Sequence, residues 1–262
     1  MPPTQIHLWD RRFLLRATSF LLPRAARPHK RLAVTLLVAR GQPFRMDGIG
    51  PPGQRYRGVL LAPNVPRLSL EATDSQLTLL DAGVGTAACQ RLLACVGPGQ
   101  VRELSAVELE RLQPVLDGVS GRALDASAAS AHYESLVEAL AGPEQAAPAL
   151  DVRVQRAMAL IEAQPLDALT MAQLAQVAGV SPSRLRALFQ QSYGCAPASV
   201  ARWVNAWKAI RRWRGGARLT DLALDAGFHD LSHIDHAIKE LFGLNPSAIA
   251  RSQQVQLIQC EG

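Results

Sequence analysis

Apolar and polar positions change their spacing twice along this chain. From residue 6 to residue 81 the apolar residues come in short runs: LAVTLLVAR (Leu32 to Arg40), YRGVLLAP (Tyr56 to Pro63), RLSLEA (Arg67 to Ala72) and LTLLD (Leu77 to Asp81). Turn formers separate them, namely GQP at Gly41 to Pro43, GIGPPG at Gly48 to Gly53 and APNVP at Ala62 to Pro66. Short apolar runs punctuated in this way predict strands of a small sandwich or barrel. From Thr86 the spacing becomes helical. Ala87, Leu92 and Cys95 open one amphipathic helix. Ser105 to Val119 forms a second, started by the capping pair Ser105 and Glu108. A third runs from about Ser127 to Leu140, with Tyr133, Leu136, Val137 and Leu140 on one stripe. The segment GPEQAAP (Gly142 to Pro148) interrupts the helices and reads as a linker.

Beyond the linker the pattern is helical throughout. A helix from Asp151 to Ala163 carries the stripe Val154, Ala157, Met158 and Ile161. Thr170 caps the next helix with Gln173 as its reciprocal partner. Ser181 and Pro182 then start another, and Gly194 ends it. A long helix from about Ala198 to Trp213 bears Trp203, Trp207, Ile210 and Trp213, read as packing rather than as a base-stacking platform.

One arrangement occurs twice in this region. Leu174, Ala175 and Ala178 lead into Gly179 and Val180, followed by Leu185, Leu188 and Phe189. Leu222, Ala223 and Ala226 lead into Gly227 and Phe228, followed by Ile234, Ala237 and Ile238. Two steeply crossing helices need a small residue where they touch (Ala175, Ala223) and a glycine of positive φ in the turn. The second copy has one extra turn residue, and its whole apolar set moves by that one step. Such a shift is expected of a duplicated helix-turn-helix unit. The first unit, LTMAQLAQVAGVSPSRLRALFQQSYGCAP, and the second, LTDLALDAGFHDLSHIDHAIKELFGLNP, resemble the DNA-binding domain of the AraC/XylS family of bacterial transcription regulators. Gly227 and Phe228, Ser232 and His233, Phe242 and Gly243, and Pro246 carry the family pattern in order and spacing. The resemblance covers about two-fifths of the chain (residues 151–250 of 262). In the family the long helix fixes the two units relative to each other. The strand-rich start, with VLLAPNVP midway, is similar to the cupin-like domain of many such regulators. The helices after it correspond to a dimer interface there, the alternative being a simple cover for the barrel.

The expected fold is therefore α+β: an N-terminal all-β cupin-like barrel over 1–85, trailing helices over 86–142 and a linker over 143–150. An all-α double helix-turn-helix domain over 151–250 and a C-terminal tail over 251–262 complete it. A chain of 262 residues can hold two domains of ordinary size, each large enough for its own core. The formal net charge is +6, yet its location matters more than its sum. Arginines dominate Met1 to Arg67, residues Glu71 to Glu144 are acidic, and the C-terminal region is only mildly basic, so the helix pattern rather than bulk charge argues for DNA. Four scattered cysteines (Cys89, Cys95, Cys195, Cys260) show no ligand or disulfide spacing and fit a reduced cytoplasm. No long apolar run or signal-peptide order is read. His29 has no second histidine or glutamate at ligand spacing, so neither a metal nor an enzymatic role is expected. Arg31, Arg45 or Arg57 could serve an apolar barrel interior, against the plainer reading of a solvated basic face.

If Leu185, Leu188 and Phe189 face inward, Ser183, Arg186, Ala187 and Gln190 face outward, with Arg184 at the edge. Arg186 suits guanine, Gln190 adenine, and Ala187 a thymine methyl. Projecting the second unit likewise exposes Leu231, Ser232, Asp235, His236 and Lys239. Asp235 and His236 depart from the family pattern, and an aspartate repels phosphate unless it accepts from a cytosine amino group. Asn205 departs too, where arginine is usual, and carries no assigned role. Phosphate contacts are expected from Ser181, Ser232, Arg202, Lys208, Arg211, Arg212 and Arg218. The function these readings imply is a sequence-specific regulator reading two successive major grooves. The competing class is a cupin-type enzyme targeted to DNA; a protein-gripping helical module is a further alternative. Double-stranded DNA and a second copy of the chain are the expected partners, with a small-molecule effector and RNA polymerase as further candidates. No cofactor is expected.

Overall fold

The computed structural model describes residues 4–25, 28–142, 149–212 and 255–260. Its strands are β1 (Thr4–Leu8), β2 (Arg12–Leu22), β3 (His29–Lys30), β4 (Ala33–Gly41), β5 (Phe44–Asp47) and β6 (Arg55–Tyr56). Then come β7 (Gly58–Leu61), β8 (Pro66–Arg67), β9 (Ser69–Gly83), β10 (Val101–Glu103) and β11 (Val255–Gln259). The helices are α1 (Ala87–Val96), α2 (Ala106–Asp117), α3 (Ala126–Ala141), α4 (Val152–Ala163), α5 (Met171–Ala178), α6 (Pro182–Tyr193) and α7 (Pro197–Arg212). The architecture is an N-terminal β domain followed by helices, as the change of apolar spacing predicts.

The longest strand, β9, is the axis of the sheet. It pairs antiparallel with β2 on one side and β4 on the other, and its first residues pair with β5. Among the described residues the sheet runs β10-β7-β4-β9-β2-β1-β11, with β5 and β6 attached at its side and β3 pairing β8 apart. Val34, Leu36, Leu60, Leu61 and Leu80 are buried completely, which explains the nearly continuous apolar runs. A bulge between Thr18 and Phe20 bends β2, where Ser19 takes a φ of 60° and accepts a hydrogen bond from the Asp74 N–H.

Two strands lie outside the sequence reading. β10 is three residues long, too short to show an alternation. More important, part of the expected tail is a strand. β11 lies parallel to β1, Thr4 opposite Val255 through Leu8 opposite Gln259, and the Cys260 N–H donates to the Leu8 carbonyl. Neither edge of β1 is therefore left open.

The three trailing helices are where the pattern places them. Thr86 caps α1, Ser105 and Glu108 form the reciprocal box of α2, and Asp125 caps α3. α3 lies on the sheet through Trp9 and Tyr133, whose rings stand 5.5 Å apart. Trp9 Nε1 donates to Ser130 Oγ, and the Tyr133 hydroxyl donates to the Asp81 carbonyl. The buried apolar residues of the β domain and of α4 to α7 form one contiguous cluster. Trp203 on α7 packs against Gly83 at the end of β9 and joins the two parts.

Candidate nucleic-acid interface

The first helix-turn-helix unit is built from α5, its turn and α6. Thr170 accepts from the Gln173 N–H while the Gln173 side chain accepts from the Thr170 N–H, closing the first turn of α5. Gly179 ends α5 in the left-handed region, φ 69° and ψ 33°. A Cβ there would meet nothing within 4 Å, so the turn needs this glycine for its dihedral angle rather than for space. The Val180 N–H returns to the Ala175 carbonyl, which ties the turn to the small residue at the helix crossing. Ser181 then caps α6 by accepting from the Arg184 N–H, and Pro182 occupies the first turn.

Leu185, Leu188 and Phe189 are buried, with Tyr193 set against Phe189 at 5.9 Å between ring centroids. Ser183, Arg184, Arg186, Ala187 and Gln190 are all exposed. The helix thus presents to solvent the strip that sequence periodicity assigned to it: two guanidinium groups, an amide and a methyl. These are groups able to pair with base edges in a major groove.

The phosphate candidates divide. Ser181 and Arg202 are exposed. Arg211 is exposed as well and lies 3.8 Å from Asp10 of the β domain. Lys208 requires a correction. Its Nζ donates to the carbonyls of Gln164 at 2.8 Å and Ile161 at 3.2 Å, and to Asn205 Oδ1 at 3.1 Å. The ammonium completes the open carbonyls at the C-terminal end of α4, where a cation is favoured, so it is a strut within the domain rather than a phosphate ligand. Asn205 is fully buried beside it and donates to the Ala201 carbonyl. Leu231, Ser232, Asp235, His236, Lys239 and Arg218, and the side chain of Arg212, lie outside the described residues.

In the β domain the arginine candidates also separate. Arg45 pairs with Glu71 at 3.1 Å and Arg57 is exposed, which fits a solvated basic face. Arg31 does not: it is buried against Asp81, which also accepts from the Thr35 hydroxyl, and Arg67 donates to that hydroxyl at 2.7 Å. Burial, and then the Arg31 charge, pull the Arg67 guanidinium down to about 9, with Asp81 opposing. His29, paired with Arg67 across β3 and β8, is buried and held neutral, its pKa lowered to about 3 by desolvation and then by Arg31 and Arg67. The sequence reading named Arg31 and His29 one by one but not their grouping with Asp81, Thr35 and Arg67. The sign of Asp81 as their partner is an aspartate closing the otherwise apolar run LTLLD. Among the described residues no group of three or more His, Cys, Asp or Glu side chains is placed to hold a metal, and no helix is long and apolar enough to cross a membrane.

A β domain joined through one core to a helical unit with an outward-facing second helix defines a class of two-part helix-turn-helix protein. Residues 174–252 match a family model described as a helix-turn-helix domain. A probable thc operon regulatory protein of Rhodococcus erythropolis is 26% identical over 190 residues, 71% of this chain and 56% of that protein. The chain thus spans little more than half the length of that curated relative. ToxT from Vibrio cholerae O395 superposes with a TM-score of 0.54 at 11% identity, over 91% of this chain and 96% of that one. An unsaturated fatty acid bound form of wild-type ToxT from V. cholerae strain SCE256 gives 0.55 at 13%, over 90% and 94%. At these identities the likeness to ToxT is one of fold. The chain thus carries a helix-turn-helix domain in its C-terminal part.

Proposed function

We propose that this protein is a sequence-specific DNA-binding transcription regulator acting in the cytoplasm, without enzymatic activity of its own. The observation that carries the reading is the exposed strip Ser183, Arg184, Arg186, Ala187 and Gln190 on a helix whose other face is locked by Leu185, Leu188 and Phe189. Arg186 pairs with a guanine edge, Gln190 with an adenine edge and Ala187 with a thymine methyl. Ser181, Arg202 and Arg211 supply phosphate contacts. The second unit adds Leu231, Ser232, Asp235, His236 and Lys239 in the next major groove, about 34 Å along the duplex.

The N-terminal domain, read as cupin-like, senses an effector or brings two copies together. A structure of ToxT holds an unsaturated fatty acid, which supports a small-molecule effector for this chain as well. A second copy of the chain and RNA polymerase are its protein partners in this reading.

Selection of bound duplexes from a random pool by the full chain tests the proposal. Two short conserved boxes about one helical turn apart are expected. Affinity should fall steeply with added salt, by several powers of ten between about 50 and 200 mM if 6–10 phosphates are neutralised. Enrichment of no sequence, with no salt dependence, would overturn it.

A further inference from the structure

Between the sheet and the connection from α2 to α3 lies a cavity of about 50 Å³. One ordered water needs roughly 10–15 Å³ of such space. The cavity therefore has room for a few waters or one small polyatomic ion, and it falls well below the ~300–1,000 Å³ of organic-ligand sites. Three arginines, Arg16, Arg40 and Arg122, stand on its lining, and no aspartate or glutamate does.

The strand register explains how they gather. Arg16 on β2 lies opposite Thr78 on β9, and Gln76 of β9 lies between Thr18 of β2 and Arg40 of β4. All five side chains therefore leave one face of the sheet. Their free valences are of one kind. Arg16 is half-buried, and its two terminal nitrogens donate to the Arg122 carbonyl at 3.0 Å and the Val119 carbonyl at 2.5 Å. Among the described residues no carboxylate pairs with it, and burial lowers its pKa with no charge opposing the shift. Arg40 is answered by Asp117 and by Gln76 Oε1 at 3.2 Å. That same oxygen accepts from Ser120 Oγ at 3.1 Å, which leaves the Gln76 amide nitrogen as an unused donor. The exposed Arg122 guanidinium and the hydroxyls of Thr18 and Thr78 have no hydrogen-bond or ion-pair partner among the described residues. Two guanidinium groups without a carboxylate thus share one small space with three neutral donors.

We propose that this cavity binds one phosphate-sized oxyanion, either the free ion or the terminal group of a phosphomonoester entering past Arg122. Arg16 and Arg122 supply charge-assisted bonds, for which the planar guanidinium is suited. Thr18, Thr78 and Gln76 donate to the remaining oxygens. A cation would meet three arginines here, and a neutral polyol would leave the two guanidinium charges unanswered. The occupant bonds at once to β2, to β9 and to the α2–α3 connection, so it holds the trailing helices on the sheet. None of its ligands belongs to the strip assigned to DNA, and the proposal does not depend on that assignment.

Titration calorimetry on the full chain without DNA tests the site, with sodium phosphate and phenyl phosphate each compared with sodium chloride at matched ionic strength. Phosphate should bind with one-to-one stoichiometry and raise the melting temperature as its concentration passes the dissociation constant, and chloride should do neither. Arg122→Ala should weaken phosphate binding at least about tenfold. It should leave the melt without phosphate unchanged, because that side chain holds nothing else among the described residues. Arg122→Lys should recover part of the loss. Thr78→Val, which keeps the shape and removes the hydroxyl, should weaken binding about three- to tenfold. Phosphate acting no differently from chloride, or binding undiminished in Arg122→Ala, would overturn the site. Phenyl phosphate binding as tightly as phosphate supports a phosphomonoester occupant, and its exclusion while phosphate binds supports the free ion.

Discussion

Trp203 leaves no room for a side chain at position 83. A Cβ built on Gly83 would stand 2.0 Å from Cη2 of the indole and 2.4 Å from the Arg11 carbonyl oxygen. The end of the central strand and the middle of α7 touch here without clearance. Arg11 adds an ion pair to Glu162 on α4 at 2.5 Å, and Lys208 holds α7 to the end of α4.

Gly83→Ala should therefore loosen the two halves of the molecule from each other. Overpacking of this kind costs about 1–3 kcal/mol, so a lowered melting temperature is expected. Gly179→Ala makes the useful contrast, since it meets no neighbour and costs only about 1–2 kcal/mol through its left-handed backbone. Thermal melts of both variants check this. Equal melting of Gly83→Ala and the parent would contradict the tight contact.

Arg186→Ala is expected to weaken DNA binding by roughly 1–3 kcal/mol and to relax one base preference. Site selection with the variant reads the second effect directly. An unchanged preference would remove Arg186 from the reading edge.

Lys208 and Arg202 should behave differently although both are cations on α7. Replacing Arg202 with alanine should reduce the dependence of log affinity on log salt by about one contact. Lys208→Met should leave that slope unchanged and lower stability by about 1–3 kcal/mol, because the carbonyls of Ile161 and Gln164 lose their donor. A changed slope for Lys208→Met would restore it as a phosphate contact.

Acid should unfold this protein earlier than its surface charge suggests. His132 is buried, with its pKa lowered to about 4 by desolvation and then by Arg16 and His7; His29 is lowered to about 3. In the unfolded chain both titrate near about 6.5. As pH falls below that value the unfolded state takes up protons that the folded state refuses, so stability is lost from about 6.5 down to the folded values and is fully present above. Melting temperature should drop between about pH 7.5 and pH 5. His132→Gln should flatten the slope by an amount worth roughly 1–3 kcal/mol over the full window. A variant with the parent's pH dependence would acquit His132.

The local elements of the helix-turn-helix unit were legible in the chain because their causes are local. A cap, a left-handed glycine and a helical stripe are set by residues a few positions apart, so Thr170, Gly179, Ser181 and the exposed strip from Ser183 to Gln190 follow from spacing. Strand content was legible in the same way. Only the tertiary structure decided what depends on residues far apart in sequence. Asp81 looks like the polar end of a strand until Arg31 and Thr35 close around it. Lys208 looks like any helix cation until the end of α4 arrives beneath it. Residues 255–259 carry too little apolar pattern to announce a strand and become one because the free edge of β1 supplies the missing hydrogen bonds. The shared core at Gly83 and Trp203 is of the same kind, created when surfaces meet that no window along the sequence contains.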